Sequence, residues 1–259
     1  MPVRILITGA SSGIGEATAY RFAREGARLG LLARREERLR EVATRARELG
    51  GDALVLVADV TSRDAVTAAV ARAEAAFEGL DVLVNNAGQG IYAYLETVRE
   101  EDLKHVFAVN TFGALYAIQA VLPGMKRRQS GVIVNVSSIV GKRALPMTGA
   151  YGAAKFALHG LSDALRLELR GTGVHVSVVC PGYTKTEFAE STISYGFERR
   201  KPRRNAMSAA EVADAIWRSA KNPRREVVLS SAGKFIVQLN RFFPAAADWV
   251  LARYMRLPE

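Results

Sequence analysis

Tyr151 and Lys155 stand four positions apart, which on a helix places both side chains on one face. There the ammonium lowers the cost of a phenolate, so the pair is suited to exchanging a proton with a substrate oxygen. A tyrosine and a lysine at this spacing also meet by chance on helix surfaces. The pair gains meaning from Ser137 and Ser138 upstream and from a glycine-rich segment near the N-terminus, Thr8-Gly9-Ala10-Ser11-Ser12-Gly13-Ile14-Gly15. Glycines at 9, 13 and 15 allow a tight turn, close approach of the backbone to a pyrophosphate and close helix-to-strand packing, while a helix N-terminus supplies oriented N–H donors. A dinucleotide is expected here, held by Gly9, Ser11, Ser12, Gly13, Ile14 and Gly15. The spacing G-x-x-x-G-x-G differs from the usual G-x-G-x-x-G, and the turn lacks the Gly-Lys-Ser/Thr of a triphosphate loop.

The end of the second apolar run bears on which dinucleotide. An acidic residue there would hydrogen-bond the adenosine ribose of NAD, but this chain reads Leu31-Leu32-Ala33-Arg34-Arg35. The planar donor fork of arginine suits a 2′-phosphate, so NADP(H) is favoured over NADH, with Arg34 as first contact and Arg35 as second. The alternative, a solvated helix start, runs against the helix dipole. Asp59 either contacts adenine or caps its own turn, and Val60 beside it belongs to the expected cofactor surface.

These groups need elements to position them. Apolar runs at Val3–Ile7, Arg28–Ala33, Ala53–Val57, Asp81–Asn85, Val132–Val136, Val174–Cys180 and Glu226–Leu229 read as strands. Helix-like segments fall near Gly13–Glu25, Arg35–Leu49, Arg63–Phe77, Glu100–Lys126, Tyr151–Arg170, Ala209–Ala220 and from Lys234 onward. Strands apolar at nearly every position are those covered by helices on both faces, so the expectation is an α/β fold, a doubly wound, mostly parallel sheet in one domain over residues 1–259. Gly26, Gly50-Gly51 and Gly79 punctuate the first three helices.

In family order, Thr8–Gly15, Asp59, Asn85–Gly88, Asn110, Ser138, Tyr151, Lys155 and Pro181-Gly182 closely resemble the short-chain dehydrogenase/reductase family in its shorter, single-domain form. The resemblance covers roughly residues 3–186 and continues more weakly through the tail. It implies hydride exchange between nicotinamide and a carbonyl or alcohol carbon, with Tyr151 exchanging the proton and Ser138 orienting the substrate oxygen. Lys155 would hold the nicotinamide ribose and assist Tyr151, and Asn110 would support the lysine and a proton-relay water. Ser138 is preferred to Ser137 by its spacing from Tyr151. Asn86, Ala87, Gly88, Pro181 and Gly182 would border the cofactor, with either Thr186 or Thr184 at the carboxamide, because Tyr183-Thr184-Lys185 departs from the usual pattern.

Residues 187–207 interrupt the alternation and read as a substrate lid, with Phe188, Ile193, Tyr195 and Phe197 as an apolar lining aided by Ile139, Leu145 and Met147. An apolar ketone or aldehyde is the expected substrate. The Arg199, Arg200, Lys201, Arg203 and Arg204 cluster meets an anionic substrate or faces solvent. Net charge is +10, concentrated in residues 191–259, which carry 13 Lys/Arg against 6 Asp/Glu. No nucleic-acid motif accompanies it, so nucleic-acid binding is not expected.

In the helical tail, 234–257, apolar residues recur from Phe235 through Leu239, Phe242, Phe243, Ala246, Trp249 and Val250 to Tyr254, broken by Pro244. They are expected to bury against the domain or a second subunit in a homo-oligomer. The alternative is peripheral membrane contact aided by Lys234, Arg241, Arg253 and Arg256. No run of about eighteen continuous apolar residues suggests a membrane span. The lone Cys180 makes no intramolecular disulfide, so a reducing, cytoplasmic setting is expected. His105, His159 and His175 lack metal-ligand spacing, and no metal is expected. Other readings are a nonenzymatic NADP(H)-binding regulator or scaffold and a membrane-associated lipid carbonyl reductase.

Overall fold

The structure is a computed structural model that describes residues 2–195 and 206–255. Seven strands carry it: β1 (Arg4–Thr8), β2 (Arg28–Ala33), β3 (Asp52–Val57), β4 (Val82–Asn85), β5 (Gly131–Val136), β6 (Val174–Cys180) and β7 (Glu226–Val228). They form one parallel sheet in the order β7-β6-β5-β4-β1-β2-β3. Residues Ile5–Thr8 and all of β4 are buried, as strands sandwiched between helices must be. β3, at the edge, is buried only at Ala53 and Leu56 and exposed at its two ends.

The helices are α1 (Gly13–Ala23), α2 (Glu36–Glu48), α3 (Arg63–Phe77), α4 (Glu100–Phe107), α5 (Gly113–Arg128), α6 (Gly149–Glu168), the single turn α7 (Phe188–Ser191), α8 (Ala209–Lys221), α9 (Ser231–Phe242) and α10 (Pro244–Met255). One buried layer gathers Phe22 of α1, Leu39 of α2 and Ile216 of α8; the other gathers Val70 of α3, Ile118 and Met125 of α5 and Leu83 of β4. The doubly wound expectation is therefore met. The chain direction reverses its march across the sheet between β1 and β4. In open α/β sheets that switch leaves a crevice beyond the strand ends, and the segments after β1 and β4 flank it.

Three details differ from the sequence reading. The expected single helix over Glu100–Lys126 is α4 and α5 joined by a π-helical turn, Ala108–Phe112. The run Glu100–Arg128 is also long and apolar enough to cross a bilayer by length and composition. Its Ala117, Ile118, Val121 and Met125 are buried against the sheet and α3, so the protein core claims that face.

The lid segment has its own order. Ile193–Ser194 pairs with Ile91–Tyr92, and Met207–Ser208 pairs with Thr184–Lys185. Phe197 and the Arg199, Arg200, Lys201, Arg203 and Arg204 cluster lie outside the described residues.

The tail stripe is only partly covered. Ser230 caps α9, Gly233 packs against Ile139, and Pro244 restarts the chain as α10, which folds back on α9 with Ala247 buried. Phe235, Phe242, Phe243 and Trp249 remain about two-thirds exposed. The small side chains take the inner face of the hairpin, so the expectation that the stripe buries within its own chain fails for these rings.

Candidate functional site

The phosphate end begins at the turn between β1 and α1. Gly9 and Gly13 have φ of +65° and +57°, the left-handed region that glycine enters without steric cost. A Cβ at Gly15 would lie 2.2 Å from Gly9 O and 2.6 Å from Asn86 Nδ2, so the turn requires glycine there. Asn86 holds this loop: its Nδ2 donates to Thr8 O at 3.0 Å and Gly9 O at 3.2 Å. Thr8, absent from the expected contacts, accepts from the N–H groups of Asn86 and Ala87 through Oγ1, each at 3.0 Å. Ala87 lies against Gly9, and Val60 is buried against Gly113. Ser12 is the N-cap of α1, and Ile14 O accepts from Thr18 within it.

The two arginines after β2 diverge. Arg35 reaches the glycine turn, donating from Nε to Ser11 Oγ at 3.3 Å. Arg34 instead extends into solvent with Nη1 3.6 Å from Asp59 Oδ2. Asp59 caps its turn by accepting from Thr61 N and Oγ1 at 2.9 and 2.8 Å. Those bonds and Arg34 hold its carboxyl below the usual range against the opposing effect of burial.

At the chemical end, α6 carries Tyr151 and Lys155 beneath the end of β5. Lys155 is 3% exposed, and its Nζ donates to Val136 O at 3.0 Å and sits 5.8 Å from the Tyr151 ring centroid. Burial depresses its pKa to about 8. Tyr151 is driven the other way: burial raises its pKa, and the hydrogen bond with the Ser138 hydroxyl opposes this less strongly. Ser138 also accepts from Val140 N at 3.3 Å, whereas the Ser137 hydroxyl is buried without a protein partner among the described residues. Met147, ahead of α6, is a non-glycine residue at φ +65° and gives its carbonyl to Ala93 N.

Asn110 lies in the π-helical turn, 1% exposed. Its Nδ2 donates to Gln89 O and Val106 O, both at 2.8 Å, and Oδ1 accepts from Gln89 N at 3.3 Å. Its side chain thus fixes the loop after β4, and the Lys155 ammonium bonds Val136 instead. A Cβ at Gly88 would stand 3.0 Å from Asn110 Oδ1, 3.7 Å from Lys155 Nζ and 3.7 Å from Phe188. Only a small residue leaves that space open.

On the cover side, the Phe188 ring lies 5.8 Å from that of Tyr151, tilted by 52°. Ile193 and Tyr195 join a buried cluster with Ile91, Val106 and Tyr151. Thr186 packs against Gly13, and its Oγ1 accepts from Phe188 N, while the Thr184 hydroxyl turns back to Gly182 O. The structure therefore brings Thr186, not Thr184, to the glycine turn. Pro181 O accepts from Ile139 N, seating Pro181-Gly182 behind the Ser138 loop.

Two features escaped the sequence reading. Glu187 bonds Arg35 and approaches Arg38, in the first turn of α2. His159, Cys180 and Glu226 also converge from α6, β6 and β7, with ligand atoms within 4.8 Å of one another. Cys180 meets His159 Nε2 at 3.7 Å, Glu226 meets Nδ1 at 3.6 Å, and Lys142 holds the same carboxylate oxygen at 2.8 Å. Cys180 and Glu226 approach different ring nitrogens of His159. Burial pushes the His159 pKa down to about 4 and the Cys180 thiol up to about 12.

The glycine turn, the helix N-terminus and Arg35 beside Ser11 fit a dinucleotide, and the Tyr151–Lys155–Ser138 set lies beyond the end of β5 on the same, C-terminal edge of the parallel sheet. A surface concavity of about 440 Å³ on α2 and β3, lined in part by Arg40, Arg47 and Arg72, shares none of these groups.

Residues 4–194 match the short chain dehydrogenase family model. An uncharacterised oxidoreductase of Bacillus subtilis, YxnA, is 35% identical over 97% of this chain and 72% of its own length. The alcohol dehydrogenase of Thermococcus sibiricus, solved with 5-hydroxy-NADP, superposes with a TM-score of 0.81 at 30% identity, covering 90% of this chain and 98% of its own. A short-chain dehydrogenase/reductase of Burkholderia phymatum, solved with NAD, gives 0.84 at 27% identity over 93% of each chain. Matched over most of its length, and carrying the glycine turn and the Tyr151–Lys155 helix described above, the chain belongs to the short-chain dehydrogenase/reductase family, the NAD(P)(H)-dependent oxidoreductases.

Proposed function

We propose that the protein is an NADP(H)-dependent carbonyl reductase acting on an apolar ketone or aldehyde. The observation that carries the reading is the meeting of Ser138, Tyr151 and Lys155 at the strand ends, next to a glycine turn flanked by Arg35. When bound, the dinucleotide supplies or accepts the hydride. The chain's own residues do the rest. Tyr151, kept neutral by burial, holds the proton that a carbonyl oxygen needs on reduction. Ser138 hydrogen-bonds that phenol and orients the substrate oxygen beside it. The Lys155 ammonium, anchored on Val136 O, favours the phenolate left after transfer and holds the nicotinamide ribose. Asn110 keeps the Gln89 backbone in place at the mouth of the site. Phe188, Ile193 and Tyr195 supply an apolar wall that excludes water.

Arg34 and Arg35 support NADP(H) over NADH, because arginine and not an acidic residue stands at the end of β2, where a carboxylate would claim a ribose hydroxyl. Relatives solved with NADP-type and with NAD ligands show that both choices occur on this fold. Side-by-side equilibrium titration with NADPH and NADH, followed by carbonyl-dependent oxidation of the tighter ligand, tests the reading. Tighter NADPH binding, weakened about tenfold or more by Arg34→Ala with Arg35→Ala, is the expected result. Equal binding defeats the cofactor assignment, and cofactor binding without turnover over a broad carbonyl panel favours a nonenzymatic role.

A second reading concerns location. Four exposed aromatic rings on and between α9 and α10 stand with the exposed Lys234, Arg241 and Arg253, the composition of an interfacial membrane contact. Leu103 and Phe112, exposed on the outer side of the α4–α5 run, support a homo-oligomer through a different face.

A further inference from the structure

Glu187 is the first residue beyond Thr186, and its carboxylate spans two arginines at the start of α2. Oε2 lies 3.2 Å from both Nη1 and Nη2 of Arg35, and Oε1 lies 3.7 Å from Nη2 of Arg38. Arg35 at the same time donates to Ser11 of the glycine turn. An anion therefore already sits on the guanidinium nearest the phosphate loop, and it is supplied by the chain itself. The next residue, Phe188, packs against Tyr151. Positions 187 and 188 thus join the adenosine end of the site to its chemical end.

We propose that Glu187 is an internal stand-in for the 2′-phosphate of NADP(H): its carboxylate holds Arg35 and Arg38 until a phosphate-bearing ligand takes them, which frees α7 from α2. The proposal rests on Arg35 facing that phosphate, as read above. Both partners are about half exposed, so the pair is weak enough to exchange. A phosphate dianion brings more charge and three acceptor oxygens to the same fork. Glu187 consequently lowers affinity for phosphorylated dinucleotides while leaving unphosphorylated ones almost untouched, and Phe188 is held over Tyr151 most firmly when the phosphate site is empty.

The test is equilibrium titration of the full chain with NADPH, NADH, adenosine 2′,5′-bisphosphate and adenosine 5′-phosphate, comparing wild type, Glu187→Gln and Arg35→Ala. Glu187→Gln should tighten NADPH and the bisphosphate about 3- to 10-fold, leave the other two within about twofold, and lose its advantage in high salt. Hydrogen exchange over 187–195 should rise when the bisphosphate, but not adenosine 5′-phosphate, is added, and should start high in Glu187→Gln. If Glu187→Gln weakens the phosphorylated ligands, acts equally on all four or changes nothing while Arg35→Ala still weakens NADPH, the stand-in is overturned and the cofactor reading survives. Exchange that is unchanged or falls on bisphosphate binding overturns the release of α7. An Arg35→Ala variant with an unaltered NADPH-to-NADH ratio overturns the cofactor role of Arg35 and the stand-in with it.

Discussion

Tyr151 and Lys155 are pushed in opposite directions by one cause, the loss of water around them. The phenol resists ionisation and the ammonium gives up its proton more readily, with a pKa of about 8. Tyr151→Phe keeps the ring that packs on Phe188 and removes only the hydroxyl. It should lower carbonyl turnover by about 10²-fold or more while leaving the dinucleotide dissociation constant within about threefold, as stopped-flow and titration would read. For Lys155 the sign follows from proton counts. Between its folded pKa and the ordinary lysine value near 10.5, the unfolded chain binds more protons than the folded one, so stability from this group rises with pH across that window. The charged lysine is thus a burden at pH 7, on the order of 3 kcal/mol as an upper bound. Lys155→Met should melt higher than wild type at pH 7, by a margin that shrinks toward pH 10. Turnover assisted by the ammonium should fall as pH rises through about 8.

At the scale of elements, the glycine turn and the polar bridges between strand ends decide whether those residues meet. Gly15→Ala introduces a Cβ 2.2 Å from Gly9 O, backbone that cannot give without moving the turn. Dinucleotide affinity should drop at least about tenfold and the melting temperature should fall together with it, since the same contact sets both. Beneath the site a buried chain of polar groups crosses from β4 to α6: Asn85 Nδ2 donates to Asn135 Oδ1 at 2.9 Å, Asn135 Nδ2 to Ser162 Oγ at 2.8 Å, and Ser162 to Leu158 O at 2.6 Å. Asn135→Ala removes one hydrogen bond from each of Asn85 and Ser162 and leaves a void. A loss of about 2–4 kcal/mol in denaturant unfolding is expected, with turnover reduced through misplacement of α6.

For the whole molecule, the α4–α5 face and the tail hairpin both carry exposed apolar side chains. The two make separable predictions. Phe112→Asp should shift the mass measured by light scattering toward the monomer without altering vesicle binding. Replacing Phe235, Phe242 and Trp249 by serine should abolish flotation with anionic phosphatidylserine vesicles while leaving oligomer mass alone. If the tail substitutions change the mass instead, the exposed rings belong between subunits.

Much of this was legible without coordinates. The strands of the sheet announced themselves because helices on both faces demand continuous apolar runs, and the glycines at 9, 13 and 15 because backbone at φ > 0 or in close approach admits little else. The four-residue step from Tyr151 to Lys155 fixed a shared face before any helix was seen. Local rules of that kind stop where partners come from distant segments. Nothing near Arg35 in sequence points to Glu187, or near His159 to Cys180 and Glu226, and the π-helical turn around Asn110 has no composition of its own. Whether Thr184 or Thr186 meets the glycine turn, whether Arg34 or Arg35 reaches Ser11, and which tail residues stay outside were decided by packing. The sequence determines which groups the chain owns and the periodicity that forms its elements; the tertiary structure decides which groups lose water together, because burial and pairing are properties of neighbours in space.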